Sequence, residues 1–118
     1  MEATETAKFR ALLDEQREVL RRQLVDIGAD PDDPNIETLG FDFGFADSAQ
    51  STAERSKVLA VIDSLRIGLA DVDHALAQIE AGTYGLCERC DKPIEKARIK
   101  ALPYATLCIE HAQAEGRR

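Results

Sequence analysis

The sequence predicts a mainly α protein: an antiparallel two-helix coiled-coil hairpin followed by a small cysteine-rich module with a short C-terminal helix. Three observations carry this. Two long stretches of good helix formers are separated by a glycine- and proline-rich break. The second stretch repeats apolar residues at spacings of four and three. All three cysteines and one of the two histidines fall in two short pairs near the C-terminus.

From about Ala3 to Ile27 the chain is rich in Ala, Leu, Glu, Gln and Arg and has neither Pro nor Gly, a composition that favours helix. Leu13, Leu20 and Ile27 recur at heptad spacing, with Phe9, Leu12 and Leu24 widening the stripe. Gly28 is the expected stop, and Pro31 and Pro34 prevent a restart. In the second helix, Val58, Ile62, Leu65, Leu69, Val72, Leu76 and Ile79 form an unbroken seam that requires a partner helix. With Asp47 or Ser48 as N-cap and Gly82 as stop, this helix runs from about Ser48 to Ala81, on the order of 50 Å. Gly68 beside the seam costs about 1 kcal/mol relative to alanine. It marks either a close approach by a neighbouring element or a slight bend. The first helix is the natural partner, because the break between the two allows it to fold back; a dimeric coiled coil is the competing arrangement. The hairpin thus covers residues 1–82, with a tip loop at about 28–47.

That loop is acidic (Asp30, Asp32, Asp33, Glu37, Asp42, Asp47) and holds Phe41, Phe43 and Phe45. The phenylalanines either fold back over the end of the seam or belong to an insertion surface.

Residues 83–118 form the module. Thr83-Tyr-Gly-Leu leads as a turn into Cys87-Glu-Arg-Cys90, and Cys108-Ile-Glu-His111 follows after a loop. Two short pairs of soft ligands at this separation are the pattern of a structural zinc site, in which three thiolates and one imidazole fill a tetrahedron. One Zn2+ is expected. A filled site has no position for a catalytic water. An oxygen ligand or water is the alternative to His111. A disulfide framework wants an even cysteine count in a secreted chain; here the count is three, and the N-terminus is polar and acidic with no apolar segment behind it. His74 is expected to be solvated. Lys96, Arg98 and Lys100 alternate with Ala97, Ile99 and Ala101 as a short basic strip, and Pro103-Tyr104 is expected to start the last helix.

The bulk numbers exclude several classes. A formal charge of −7 from 15 basic and 22 acidic residues argues against nonspecific nucleic-acid binding. The charge is uneven, with 17 acidic and 8 basic residues in 1–82 against 5 and 7 in 83–118. No stretch approaches the roughly 20 apolar residues of a membrane span, and unpaired ligand cysteines suit the cytoplasm. Neither a nucleophile–base pair nor a glycine-rich phosphate loop is present, so an enzyme is not expected.

The segment from Gly82-Thr-Tyr-Gly-Leu-Cys87 through Arg98-Ile-Lys-Ala-Leu-Pro103 to Cys108-Ile-Glu-His111 resembles the DksA/TraR family of zinc-finger transcription regulators. The likeness is specific over the last third of the chain and agrees in layout upstream. It implies a protein that binds bacterial RNA polymerase directly, reads no DNA sequence, and inserts its coiled-coil tip into the secondary channel to alter open-complex stability. A monomer is expected. In the family tip pattern, Asp-x-x-Asp-x-Ala, the second Asp and the Ala fall on Asp47 and Ala49. The first Asp falls on Gly44, a departure for which Asp42 is the candidate substitute. His111 stands where most members have cysteine, making the centre one charge less negative and more acid-sensitive. Some members help the polymerase bind guanosine tetraphosphate; Lys96, Arg98 and Lys100 contact polymerase or nucleotide, or form a solvated face. A zinc-ribbon nucleic-acid binder and a zinc-supported oligomerisation adaptor are the alternatives.

Overall fold

A computed structural model of the chain describes residues 2–32 and 52–116. Among these there are four helices: α1 (Ala3–Asp26), α2 (Thr52–Ala81), α3 (Lys96–Ala101) and α4 (Ile109–Ala114). No strand occurs among the described residues, only an isolated antiparallel bridge between Leu86 and Pro93. The mainly α expectation holds. Asp42, Asp47, Ala49 and the proposed N-cap of α2 lie outside the described residues.

Both long helices end as their sequences predict. Gly28 has φ 91° and Gly82 has φ 78°, the left-handed conformation that glycine adopts without a Cβ penalty. At each end, the glycine N–H donates to the carbonyl three residues back and the next N–H to the carbonyl five back. The bonds are Gly28–Val25 at 3.0 Å and Ala29–Leu24 at 2.8 Å, then Gly82–Ile79 at 3.2 Å and Thr83–Gln78 at 2.9 Å. This paired closure satisfies the last carbonyls of each helix.

The described residues divide between two compact units. One spans Arg17–Ala70. Here the second half of α1 packs antiparallel to the first half of α2 around Leu24, Ala29, Ile62 and Leu69, with Leu20, Ile27, Val58 and Leu65 partly buried around them. Heptad positions on both helices supply this core, as the seam requires. The turn after α1 is tied to both helices: Arg66 Nη2 donates to the Asp30 carbonyl at 2.8 Å, and Arg21 Nη2 pairs with Asp32 Oδ1 at 3.0 Å. Within this unit Gly68 faces Leu20, but an added Cβ would meet the Leu20 δ carbons at 3.6 Å, an ordinary contact distance. The neighbour is therefore close without requiring glycine.

The other unit comprises Met1–Gln16 with Asp71–Arg118. Leu13, Val72, Ala75 and Ile99 are almost completely buried in it. Phe9 of α1 meets Tyr84 with ring centroids 6.0 Å apart and a tilt of 46°, within the favourable range for aromatic pairs. Leu12, expected to widen the apolar stripe of α1, is instead 49% exposed. The contact surface is the narrower one through Leu13, because a two-helix pairing buries little beyond its seam. The last helix also starts later than expected. Pro103-Tyr104 form a turn, in which the Pro103 carbonyl accepts from the Tyr84 hydroxyl at 2.7 Å. The following residues remain non-helical because the Thr106 carbonyl accepts from the Glu88 N–H at 3.0 Å. Cys108 becomes the N-cap of α4, with φ −68° and ψ 164°.

Replacing Gly68 by alanine is expected to raise stability by about 0.5–1 kcal/mol, since the helix gains propensity and the methyl fits against Leu20. Urea denaturation checks this; a lower midpoint would show that the space beside Leu20 is tighter than its geometry indicates.

Candidate metal centre

Two backbone knuckles build the centre. In the first, the Cys87 N–H donates to the Lys92 carbonyl and the Asp91 N–H to the Cys87 carbonyl, both at 2.8 Å. This curls residues 87–92 so that both cysteine sulfurs point inward. Asp91 takes a left-handed φ of 61° to close the curl, a conformation that Asp tolerates better than most residues. The Ile94 N–H donates to the Gly85 carbonyl at 2.8 Å and locks the base. In the second knuckle, Cys108 caps α4 and the Ala112 N–H donates back to its carbonyl at 2.8 Å. His111 lies in the first turn, so its ring and the Cys108 sulfur share a face.

The structure brings together the four predicted ligands. One ligand atom from each of Cys87, Cys90, Cys108 and His111 lies within 4.8 Å of every other. His111 Nδ1 is 3.8 Å from Cys87 Sγ and 3.2 Å from Cys108 Sγ. Bonds of ~2.3 Å to sulfur and ~2.0 Å to nitrogen set tetrahedral donors about 3.5–3.8 Å apart, so the cluster fits Zn2+ with Nδ1 as the imidazole donor. Cys87 and Cys108 are buried and Cys90 is half-buried, with all three free of disulfides.

The thiols respond to one another. Burial opposes ionisation of Cys87, yet backbone N–H groups of Cys108, Arg89 and Cys90, with the Cys90 thiol, bring its pKa down to about 6. The Cys90 pKa is pushed up even though the Lys92 N–H favours its thiolate, because burial and the Cys87 and Cys108 sulfurs outweigh that donor. Several thiolates this close repel unless a cation sits among them, and a divalent ion supplies that charge. The four residues would hold a structural Zn2+, with side chains supplying all four donors.

The supporting contacts were mostly invisible in the sequence. Arg89 makes a two-point pair with Glu115, with Nε–Oε2 at 2.5 Å and Nη2–Oε1 at 3.2 Å. His74, expected to be solvated, is half-exposed, and its Nε2 lies 2.8 Å from Glu88 Oε2. The approach of the knuckle to α2 supplies that partner. The basic strip is the helix α3. Arg98 is half-buried, and its Nε donates to the Leu107 carbonyl at 2.9 Å, bracing the approach to Cys108. Lys96 and Lys100, one turn apart, are exposed; Lys96 Nζ lies 3.4 Å from Glu5 Oε1, an exposed pair that contributes little.

Residues 82–113 match the family model of the prokaryotic dksA/traR C4-type zinc finger; here the fourth ligand is a histidine. Over 73 residues, 62% of this chain, the sequence is 38% identical to the RNA polymerase-binding transcription factor DksA of Caulobacter vibrioides. The chain spans about half of that relative, 51% of its length. The fold resembles the structure of transcription factor DksA2 from Pseudomonas aeruginosa, with a TM-score of 0.72, 27% identity, and coverage of 98% of this chain and 86% of that one. It also resembles the solution structure of the DnaK suppressor protein of Agrobacterium tumefaciens, with a TM-score of 0.57, 26% identity and 96% coverage of both chains. Residues 82–113 thus resemble the dksA/traR-type zinc finger, and the fold resembles those of DksA structures.

Substituting Cys87 by serine is expected to release zinc and abolish cooperative melting of the module, as read by metal analysis and circular dichroism. A variant that keeps both would sink the ligand assignment. His111→Ala is expected to weaken zinc binding by tenfold or more, since even outer-shell changes cost about 10–100-fold. His111→Cys, which completes a four-cysteine set, is expected to retain one zinc per chain.

Proposed function

We propose that this chain is a transcription regulator of the DksA/TraR family that binds bacterial RNA polymerase directly. Its coiled-coil tip enters the secondary channel and alters the stability of promoter open complexes. The likeness to the DksA2 structure, across 98% of this chain, is the observation that carries the proposal. The polymerase-binding name of the Caulobacter relative agrees with it. The metal centre is closed to substrate, as suits a structural support rather than a catalyst.

In this reading the zinc module and adjoining helices hold the polymerase, and the acidic tip acts inside it. Asp47 and Ala49 take the family's tip positions, and Asp42 serves in place of the aspartate replaced by Gly44. Carboxylates at the tip approach a Mg2+ site or a basic channel wall. The exposed Lys96 and Lys100 contact polymerase or guanosine tetraphosphate, while Arg98 acts mainly as a brace. The protein works as a cytoplasmic monomer. No described helix is long and apolar enough to cross a membrane.

Co-purification of the tagged protein with the host RNA polymerase tests the reading. Promoter assays with and without guanosine tetraphosphate then measure its effect. Asp47→Asn is expected to leave polymerase binding largely intact and reduce the transcriptional effect. Unchanged promoter output with this variant would remove the tip role, and failure to co-purify would remove the partner.

A further inference from the structure

Glu88 lies between the first two metal ligands and reaches two other parts of its unit. Its backbone N–H donates to the Thr106 carbonyl at 3.0 Å, and its Oε1 accepts from Thr106 Oγ1 at 3.4 Å. Thr106 stands two residues before Cys108, so Glu88 joins one knuckle to the approach of the other. Its Oε2 meets His74 Nε2 at 2.8 Å and Gln78 Nε2 at 3.4 Å. His74 and Gln78 are one turn apart on α2 and present their polar atoms on the same face. Gln78 is only 9% exposed, and its Oε1 has no partner among the described residues. The bond to Glu88 therefore supplies polar pairing that this buried amide otherwise lacks.

We infer that Glu88 links zinc occupancy to the local stability of α2 over residues 71–81. The metal fixes Cys87 and Cys90, which set the position of the residue between them. When the knuckle loses its metal, the carboxylate is no longer held against α2. The Gln78 amide is then left buried without its acceptor, a costly state that local opening relieves. Coupling of this kind is reciprocal: if zinc steadies α2, the α2 contacts must tighten zinc binding by the same factor. The inference rests on the zinc centre and does not require polymerase binding.

The test uses the full chain and two readouts. Zinc affinity is measured by competition with a chromophoric chelator, and amide hydrogen exchange is followed over residues 71–81 with and without zinc. The main variant is the double substitution His74→Ala and Gln78→Ala, which removes the helix side of the contact while placing good helix formers in α2. In the wild-type chain, zinc is expected to slow exchange in 71–81 by about fivefold or more. The double variant is expected to lose most of that difference and to bind zinc weaker by a similar factor. Glu88→Gln, which keeps the side-chain shape and gives up one acceptor oxygen, is expected to shift both readouts in the same direction by less. Zinc affinity equal to wild type in the double variant overturns the inference. So does a zinc-dependent change in exchange as large as in the wild-type chain.

Discussion

The tetrahedron formed by Cys87, Cys90, Cys108 and His111 is the constraint on which the C-terminal third of this chain depends. Residues 83–116 contain two six-residue helices, α3 and α4, and a few buried apolar side chains such as Ile94, Ile99 and Leu107. A segment this short cannot bury enough apolar surface to offset the entropy of ordering it, and metal ligation supplies what is missing. The backbone is arranged around that need. Amides of Arg89, Cys90 and Cys108 donate to the Cys87 sulfur, and the Lys92 amide donates to that of Cys90. The knuckles thereby distribute the thiolate charge over fixed dipoles before the cation adds its own.

From that centre, contacts extend outward in layers of different strength. Arg98 holds the Leu107 carbonyl and the Tyr84 hydroxyl holds the Pro103 carbonyl, so both segments leading to Cys108 are secured at partly buried positions. Phe9 and Tyr84 add aromatic contact with the start of α1. The exposed pairs, Arg10 with Glu80 at 2.6 Å and Lys96 with Glu5 at 3.4 Å, add little because water screens them. Glu88 differs from these in that one side chain serves a metal-binding knuckle, the approach to Cys108 and α2 together.

Much of this organisation was legible beforehand, for reasons that differ from element to element. The seam from Val58 to Ile79 was readable because a helix repeats its face every three or four residues, and Ile62, Leu69 and Val72 are indeed buried. The stops at Gly28 and Gly82 were readable because few other residues adopt a left-handed φ cheaply. The metal ligands stood out because their pairing is local and soft donors are scarce in this sequence. The start of α4 and the exposure of Leu12 have no such local signal. The first depends on Thr106 pairing with Glu88, eighteen residues away, and the second on how wide a face the partner helix covers.

By itself, then, the sequence determined the quantities with a period or a short range: helix, stop, seam and ligand pair. Tertiary structure alone decided which polar side chains became struts. His74, Gln78, Glu88 and Arg98 carry no local signature, since any of them would be equally at home in solvent. They acquire roles only because folding places a carbonyl, an amide or a carboxylate within hydrogen-bond reach of each. Such bonds join residues from nine to fourteen positions apart, a separation at which neither helical periodicity nor ligand spacing says anything about contact.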